Sequence, residues 1–259
     1  MRLTTIGTGT AAPSPSRVNA GHLVEAGDVR LLLDCGSGVV HRMAALGLPW
    51  AEITHVALTH FHVDHTSDLA TLMVAWRHGQ LPARGAKVTL VGPPGTAALV
   101  ARMAAALWKD LETPGYPVEV LELPPGDELA LAPDVRLASF KVPHTDESVA
   151  YSVERGGRRV VYTGDTAFHP PLAAWASACD VLLCECSLPA GLAVPTHLTP
   201  EECGMLAAIA RPRTLVLTHL YPPVERVDVR ALVAERFHGA VVVATDGWST
   251  EIEDARCWS

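Results

Sequence analysis

Apolar residues recur along this chain in two rhythms. Short runs alternate with period two or are continuously apolar, as in strands, and longer stretches repeat every three to four positions, as in helices. Strands are predicted at 3–7, 22–26 and 29–34, separated by Gly- and Pro-rich turns, and a helix follows near 39–46. Residues 53–59 form a β-branched, apolar strand, and the spacing of Leu69, Leu72, Met73 and Trp76 predicts a helix over 67–76. A strand at 87–91 stops at Gly92-Pro93-Pro94-Gly95, and the Ala-rich stretch 96–107 is helical. The middle of the chain is different: 118–123, 128–131, 135–142, 149–154 and 159–163 are successive short strands. Gly156-Gly157 turns one hairpin, because both positions tolerate positive φ. Strands at 181–184, 214–218 and 241–244 then interleave with helices at 200–210 and 227–237.

This order predicts an α/β protein. With 259 residues, 49% of them apolar, a single compact domain over 1–259 has ample material for a core. Residues 53–60 and 213–219 both end an apolar strand on Leu-Thr-His, the echo expected of two similar halves that face each other across a two-sheet core.

Charge narrows the partners. The net charge of −8 and pI near 5.8 provide no cluster of Lys and Arg to neutralise nucleic-acid phosphates, so large polyanionic substrates are disfavoured. The N-terminal residues lack the apolar segment and small-residue cleavage site of a signal peptide, and no run approaches the roughly 18 apolar residues of a membrane span. A cytoplasmic protein without membrane partners is expected. The six cysteines, Cys35, Cys179, Cys184, Cys186, Cys203 and Cys257, lie in apolar contexts without disulfide-scaffold spacing. Cys184 and Cys186 would share one face of a strand as small buried hydrophobes.

The chemistry concentrates at Thr59-His-Phe-His-Val-Asp-His65. Within six positions stand His60, His62, Asp64 and His65, directly after an apolar run. Continuation of the strand would point His60 and His62 to one side, and a turn or helix start would present Asp64 and His65 to a second point nearby. That spacing suggests two adjacent metal ions. Imidazole nitrogen with carboxylate oxygen suits Zn, Fe or Mn, and the absence of a neighbouring Cys argues against a closed structural zinc site. A pair of ions needs further donors, and His144, Asp165 and His219 each follow a predicted strand, where loops place functional groups at a sheet rim.

His60-x-His62-x-Asp64-His65 resembles the central motif of the metallo-β-lactamase superfamily of metal-dependent hydrolases. Asp34 in Leu31-Leu-Leu-Asp-Cys-Gly36 is similar to its first motif, and His144, Asp165 and His219 to the third, fourth and fifth, so the resemblance covers nearly the whole chain. It implies a four-layer αββα sandwich with two divalent metal ions, Zn or else Mn or Fe, at one edge between the sheets. By the same carry-over His60, His62 and His144 hold one ion, Asp64, His65 and His219 the other, and Asp165 bridges them. Asp34 would lie buried behind the ligands and fix the motif loop through hydrogen bonds.

The opening Gly7-Thr-Gly-Thr-Ala-Ala-Pro-Ser-Pro-Ser-Arg17 looks like the ribonuclease Z, arylsulfatase and phosphodiesterase branch, and Pro195-Thr-His197-Leu-Thr199 resembles it again. In that branch a His at this place assists protonation of the leaving group. Glu185 in Cys184-Glu-Cys-Ser187 is similar to the branch's His-Glu-Ala-Thr stretch and would orient His197. Two features depart from ribonuclease Z. Little more than a hairpin separates His144 from Asp165, where tRNA-processing members carry a long arm, and Thr66-Ser67-Asp68-Leu69 stands where a glycine-containing turn is usual.

The expected function is hydrolysis of a small phosphodiester through a hydroxide that bridges two metals, with His197 as general acid. The alternatives are an arylsulfatase, a lactonase or β-lactamase-type hydrolase in which Tyr221 assists, and a ribonuclease Z-like endoribonuclease. A metal- or cofactor-binding protein without chemistry is the reading from another class. The expected partner is a small ester, tRNA being disfavoured; a homodimer is implied by resemblance alone. Phe61, Trp76, Phe168 and Trp248 are the aromatic side chains available to shape a pocket.

Overall fold

The computed structural model describes residues 1–253, so Cys257 lies outside the described residues. Two seven-stranded sheets stack against each other. The first holds β1 (Arg2–Gly7), β2 (Gly21–Ala26), β3 (Val29–Leu33), β4 (His55–Ala57), β5 (Val88–Gly92) and β6 (Val118–Glu122). The second holds β7 (Glu128–Ala132), β8 (Val135–Lys141), β9 (Val149–Arg155), β10 (Arg158–Tyr162), β11 (Val181–Glu185), β12 (Thr214–Thr218) and β13 (Ala240–Val243). β14 (Ser249–Glu251) crosses back to pair antiparallel with β1.

The two sheets repeat one order of pairings. β1, β2 and β3 are antiparallel neighbours, and β3 to β6 then run parallel. In the second sheet β8, β9 and β10 are antiparallel, and β10 to β13 run parallel. Sequence explains the division. Parallel strands are covered on both faces and read as continuous apolar runs, as in 31–33 and 181–184, whereas β8 alternates buried and more exposed positions.

Three cores define the layers. Leu3, Val24, Leu31 and Leu33 of the first sheet pack with Val153, Tyr162, Leu183 and Val216 of the second, which fills the space between the sheets. The opposite face of the first sheet packs on α1 (Val39–Ala45), α3 (Leu69–His78) and α4 (Thr96–Ala106), while α2 (Val63–Thr66) is a single turn leading into α3. The second sheet packs outward on α5 (Pro170–Trp175), α6 (Pro200–Ala210) and α7 (Val229–Ala234). The fold is the expected α/β, four-layer αββα sandwich. Among the described residues no helix is long and apolar enough to cross a membrane.

Several boundaries differ from the predicted ones. The strand expected over 53–59 shrinks to β4, and the helix expected over 227–237 is only α7. α5 opens on two prolines and β14 has three residues, so neither presents enough periodicity to be read from sequence. α6 is sharply bounded because Thr199 and Glu202 form a reciprocal capping box with Pro200 in the first turn.

Candidate metal centre

Strand ends from both sheets converge on one edge of the sandwich. β3 leads to Asp34, β4 to the loop carrying His60 and His62, β8 to His144, β10 to Asp165, β11 to Glu185 and Ser187, and β12 to His219. Two of these residues leave their strands in the left-handed region, Asp34 at φ 58° and His219 at φ 56°. Non-glycine residues occupy that region at a cost of order 1–3 kcal/mol, so tight surroundings must hold them there. The motif loop is clamped accordingly. Cys35 N donates to His65 O at 2.8 Å, and Gly36 passes so near Asp64 that a Cβ would stand 1.9 Å from its carbonyl oxygen.

His60 and His62 do not lie on a strand, contrary to the alternation expected of them. Residues 58–62 are irregular, and His62 is the N-cap of α2, which carries Asp64 and His65. The side chains meet all the same: His62 Nδ1 lies 3.1 Å from His60 Nε2 and 3.1 Å from His144 Nε2. Asp165 Oδ2 is 3.8 Å from each of those two Nε2 atoms and 3.5 Å from His219 Nε2, while its Oδ1 is 3.3 Å from His65 Nε2. Asp64 Oδ2 stands 3.4 Å from His219 Nε2 and 4.0 Å from His65 Nε2. Donors bound to one ion at 2.0–2.1 Å in tetrahedral geometry stand about 3.3 Å apart, close to these separations.

Hydrogen bonds on the outer side of each ring decide what faces inward. His65 Nδ1 donates to Asp34 Oδ2 at 2.8 Å and His144 Nδ1 to the Thr196 carbonyl at 3.0 Å, since both partners only accept. The Thr59 hydroxyl donates to Asp34 and the Ser187 hydroxyl to Glu185, so they accept from His60 Nδ1 at 3.0 Å and His219 Nδ1 at 2.9 Å. With these four protons on Nδ1, in neutral rings the four Nε2 lone pairs point into the centre beside Asp64 and Asp165. His65 Nε2 and Asp165 Oδ1 are buried there with no hydrogen-bond partner. A cation would satisfy these converging groups, and the nitrogen and oxygen set fits a borderline divalent metal.

Electrostatics favour ionised carboxylates and a neutral His60. Burial of His65, by contrast, is outweighed by Asp165 and Asp34, which raise it well above its usual range, so a metal there would displace a proton from its ring. Burial, reinforced by neighbouring imidazoles, pushes His60 well below its usual range and keeps its ring neutral. Burial works against the Asp165 carboxylate, but His219, His65 and His60 outweigh it and hold the group ionised well below the carboxylate range. Asp64 is likewise pulled down to about 2, where burial is outweighed by His219 and His65. Neutral imidazole and ionised carboxylate are the forms that bind metal.

The model for the Beta-lactamase superfamily domain matches residues 29–220, a span that contains every one of these side chains. The chain belongs to the metallo-β-lactamase superfamily. It is 31% identical to a ribonuclease Z of Mycobacterium bovis (strain BCG / Pasteur 1173P2), covering 99% of this chain and 100% of that protein, and 32% identical to a ribonuclease Z of Mycolicibacterium paratuberculosis over 95% and 96%. Among solved structures, the metallo-beta-lactamase fold protein YhfI from Bacillus subtilis superposes with TM-score 0.82 at 24% identity over 96% of this chain and 98% of that one. Human tRNase Z, short form, superposes with TM-score 0.80 at 23% identity over 98% and 100%. Membership makes this a metal-dependent hydrolase. The Mycobacterium bovis alignment spans 284 positions against 259 residues here, so that relative carries segments this chain lacks.

On the superfamily frame, the branch-specific residues fall beside the centre. His197 Nδ1 lies 3.1 Å from both carboxylate oxygens of the fully buried Glu185 and 3.9 Å from Asp165 Oδ2. Burial depresses the His197 imidazolium, but the hydrogen bonds and charge of Glu185, with Asp165, raise it to about 9. Glu185 is itself fixed by Thr166 N at 2.6 Å, Ser187 Oγ at 2.5 Å and Leu198 N at 3.2 Å. Asp34, fully buried, accepts from Thr59 N, Thr59 Oγ1, His65 Nδ1 and Tyr162 OH.

Ser187, Thr59 and Tyr162 escaped sequence reasoning. A lone hydroxyl beside a motif carries no signal until its partners are known. The pocket aromatics need correction: Trp76 is fully buried under the first sheet and donates to Trp50 O, Trp248 packs on the core between the sheets, and Phe168 packs with the outer core of the second. Phe61 packs over Gly95 at the start of α4. Cys184 and Cys186 are buried with Cys203 on the α6 side, away from the centre.

Proposed function

We propose that this chain is a dinuclear metal-dependent phosphodiesterase. The observation that carries the reading is the place of Asp165, within 3.3–3.8 Å of ring nitrogens in both the His60, His62, His144 group and the Asp64, His65, His219 group. The first group would hold one ion and the second the other, with Asp165 shared; zinc suits the donors, as do manganese and iron. Bound divalent ions acidify water to supply a nucleophile at neutral pH and polarise a phosphoryl oxygen. His197, charged and held by Glu185, presents Nε2–H to the departing oxygen, a contribution of about 10²- to 10⁴-fold. Asp34 and Ser187 keep His65 and His219 in the tautomer and orientation that ligation needs. The repeated strand order supports one domain of two similar halves.

The substrate divides into two readings. The relatives named ribonuclease Z favour an RNA phosphodiester, and this now stands ahead of the small phosphodiester expected from sequence. Favouring the small substrate is the bare hairpin of β9 and β10 between His144 and Asp165, with a net charge of −8. A panel with metal content measured on the same sample separates them: bis(p-nitrophenyl) phosphate, precursor tRNA with a 3′ trailer, p-nitrophenyl sulfate, a lactone and a β-lactam. Trimming of precursor tRNA supports the ribonuclease reading, and turnover of the small diester alone supports the other. Two bound ions without turnover of any phosphodiester would sink both.

A further inference from the structure

Tyr221 stands half-buried beside the centre and has no part in the chemistry above. Its ring meets two imidazoles edge-on, with centroids 6.3 Å from His197 at 71° and 5.8 Å from His219 at 84°. The backbone around it is pinned on several sides. Tyr221 N donates to Ser187 O at 3.2 Å, Val224 N to Tyr221 O at 3.0 Å and Leu220 N to Thr8 O at 2.9 Å. Arg17 Nε pairs with Glu225 Oε1 at 2.6 Å and so ties this segment to the N-terminal loop, while Pro222 and Pro223 restrict φ immediately after the ring. A ring fixed in this way offers a preorganised aromatic face, because little conformational freedom remains to be lost on binding.

The ring lies 6.3 Å from the imidazole assigned to protonate the leaving group, within reach of a substituent on the departing oxygen. Held by its backbone contacts against His197 and His219, the side chain offers that group an aromatic surface fixed in place. We infer that Tyr221 is a platform for the leaving group and selects phosphodiesters whose departing part carries a planar aromatic ring, an aryl group or a nucleoside base. The inference rests on the phosphodiesterase reading for its direction, but the platform itself is testable by binding alone. Stacking on one aromatic residue changes affinity by about three- to tenfold.

Calorimetric titration of the metal-loaded protein with phenylphosphonate and methylphosphonate, which share a head group, reads the platform directly. Wild-type protein should prefer the phenyl compound; Tyr221→Phe should keep that preference, and Tyr221→Leu, which preserves bulk for packing, should reduce it about three- to tenfold. An unchanged preference in Tyr221→Leu, or none in the wild type, overturns the inference. Kinetics then assign the side. Bis(p-nitrophenyl) phosphate and methyl p-nitrophenyl phosphate lose the same group, so Tyr221→Leu should raise KM equally for both, and a rise confined to the first would place the ring under the group that stays and overturn the leaving-group assignment. Absence of wild-type turnover with either diester would count against the small-phosphodiester reading, while the phosphonate titration still decides the platform.

Discussion

Glu185→Gln removes one buried charge and preserves shape, and its consequences follow from a single geometry. The carboxylate holds His197 Nδ1 at 3.1 Å through both oxygens, and with Asp165 it raises the imidazolium from 6.5 to about 9 against the opposing effect of burial. The His197 side chain is only 14% exposed, so solvent screens the pair weakly. Without that charge, with Asp165 still opposing burial, the imidazolium returns to about its ordinary 6.5. At pH 8 the protonated fraction then falls about thirtyfold, from nearly all to about 3%. The predicted result is a loss of about thirtyfold at pH 8 for alkyl phosphodiesters, near-complete recovery at pH 6, and little change for p-nitrophenyl leaving groups. Cations at Asp165 shift both descending limbs downward, so the separation between the two pH profiles is the quantity to read. Stability obeys the same sign. A folded pKa raised above the unfolded value contributes stability that is complete below about 6.5 and lost as pH rises through about 9. The stabilisation is of order 3 kcal/mol at most, and metal-free Glu185→Gln should lack that pH dependence. A uniform loss at every pH, or equal loss for good and poor leaving groups, would refute the reasoning.

Asp34→Asn places an amide where four donor atoms converge and should destabilise the fold by about 3 kcal/mol or more in chemical denaturation, with metal affinity weakened about 10- to 100-fold. Chelation should abolish hydrolysis and lower the unfolding temperature, with recovery on adding zinc or manganese, and Asp165→Ala should reduce metal content below about two ions per chain by elemental analysis. His22 is fully buried, burial lowers it to about 3, and neither ring nitrogen has a partner. His22→Leu should therefore keep or raise the thermal midpoint; a fall of several degrees would reveal a polar partner, such as an internal water, behind Tyr162.

The sequence by itself determined the alternation of elements and the dense cluster of metal-seeking side chains, and its resemblance to the superfamily supplied the sandwich and the later donors. Buried parallel strands must be continuously apolar, and metal-ligating side chains have no use in a core, so both leave marks that survive in one dimension. It also supplied His197 and Glu185 through their motifs. What only the tertiary structure decided is how those groups are held. His60 and His62 meet through an irregular loop rather than a strand, because β4 ends at Ala57 and α2 begins after His62. Thr59, Ser187 and Tyr162 matter through partners 25, 32 and 128 positions away, and Trp76, which looked suited to a pocket, lies sealed in the core. Ligand identity is local chemistry, legible residue by residue. The tautomer of each imidazole, the direction of its lone pair and the rise of His197 toward 9 depend on distances between strands that the chain brings together only when folded.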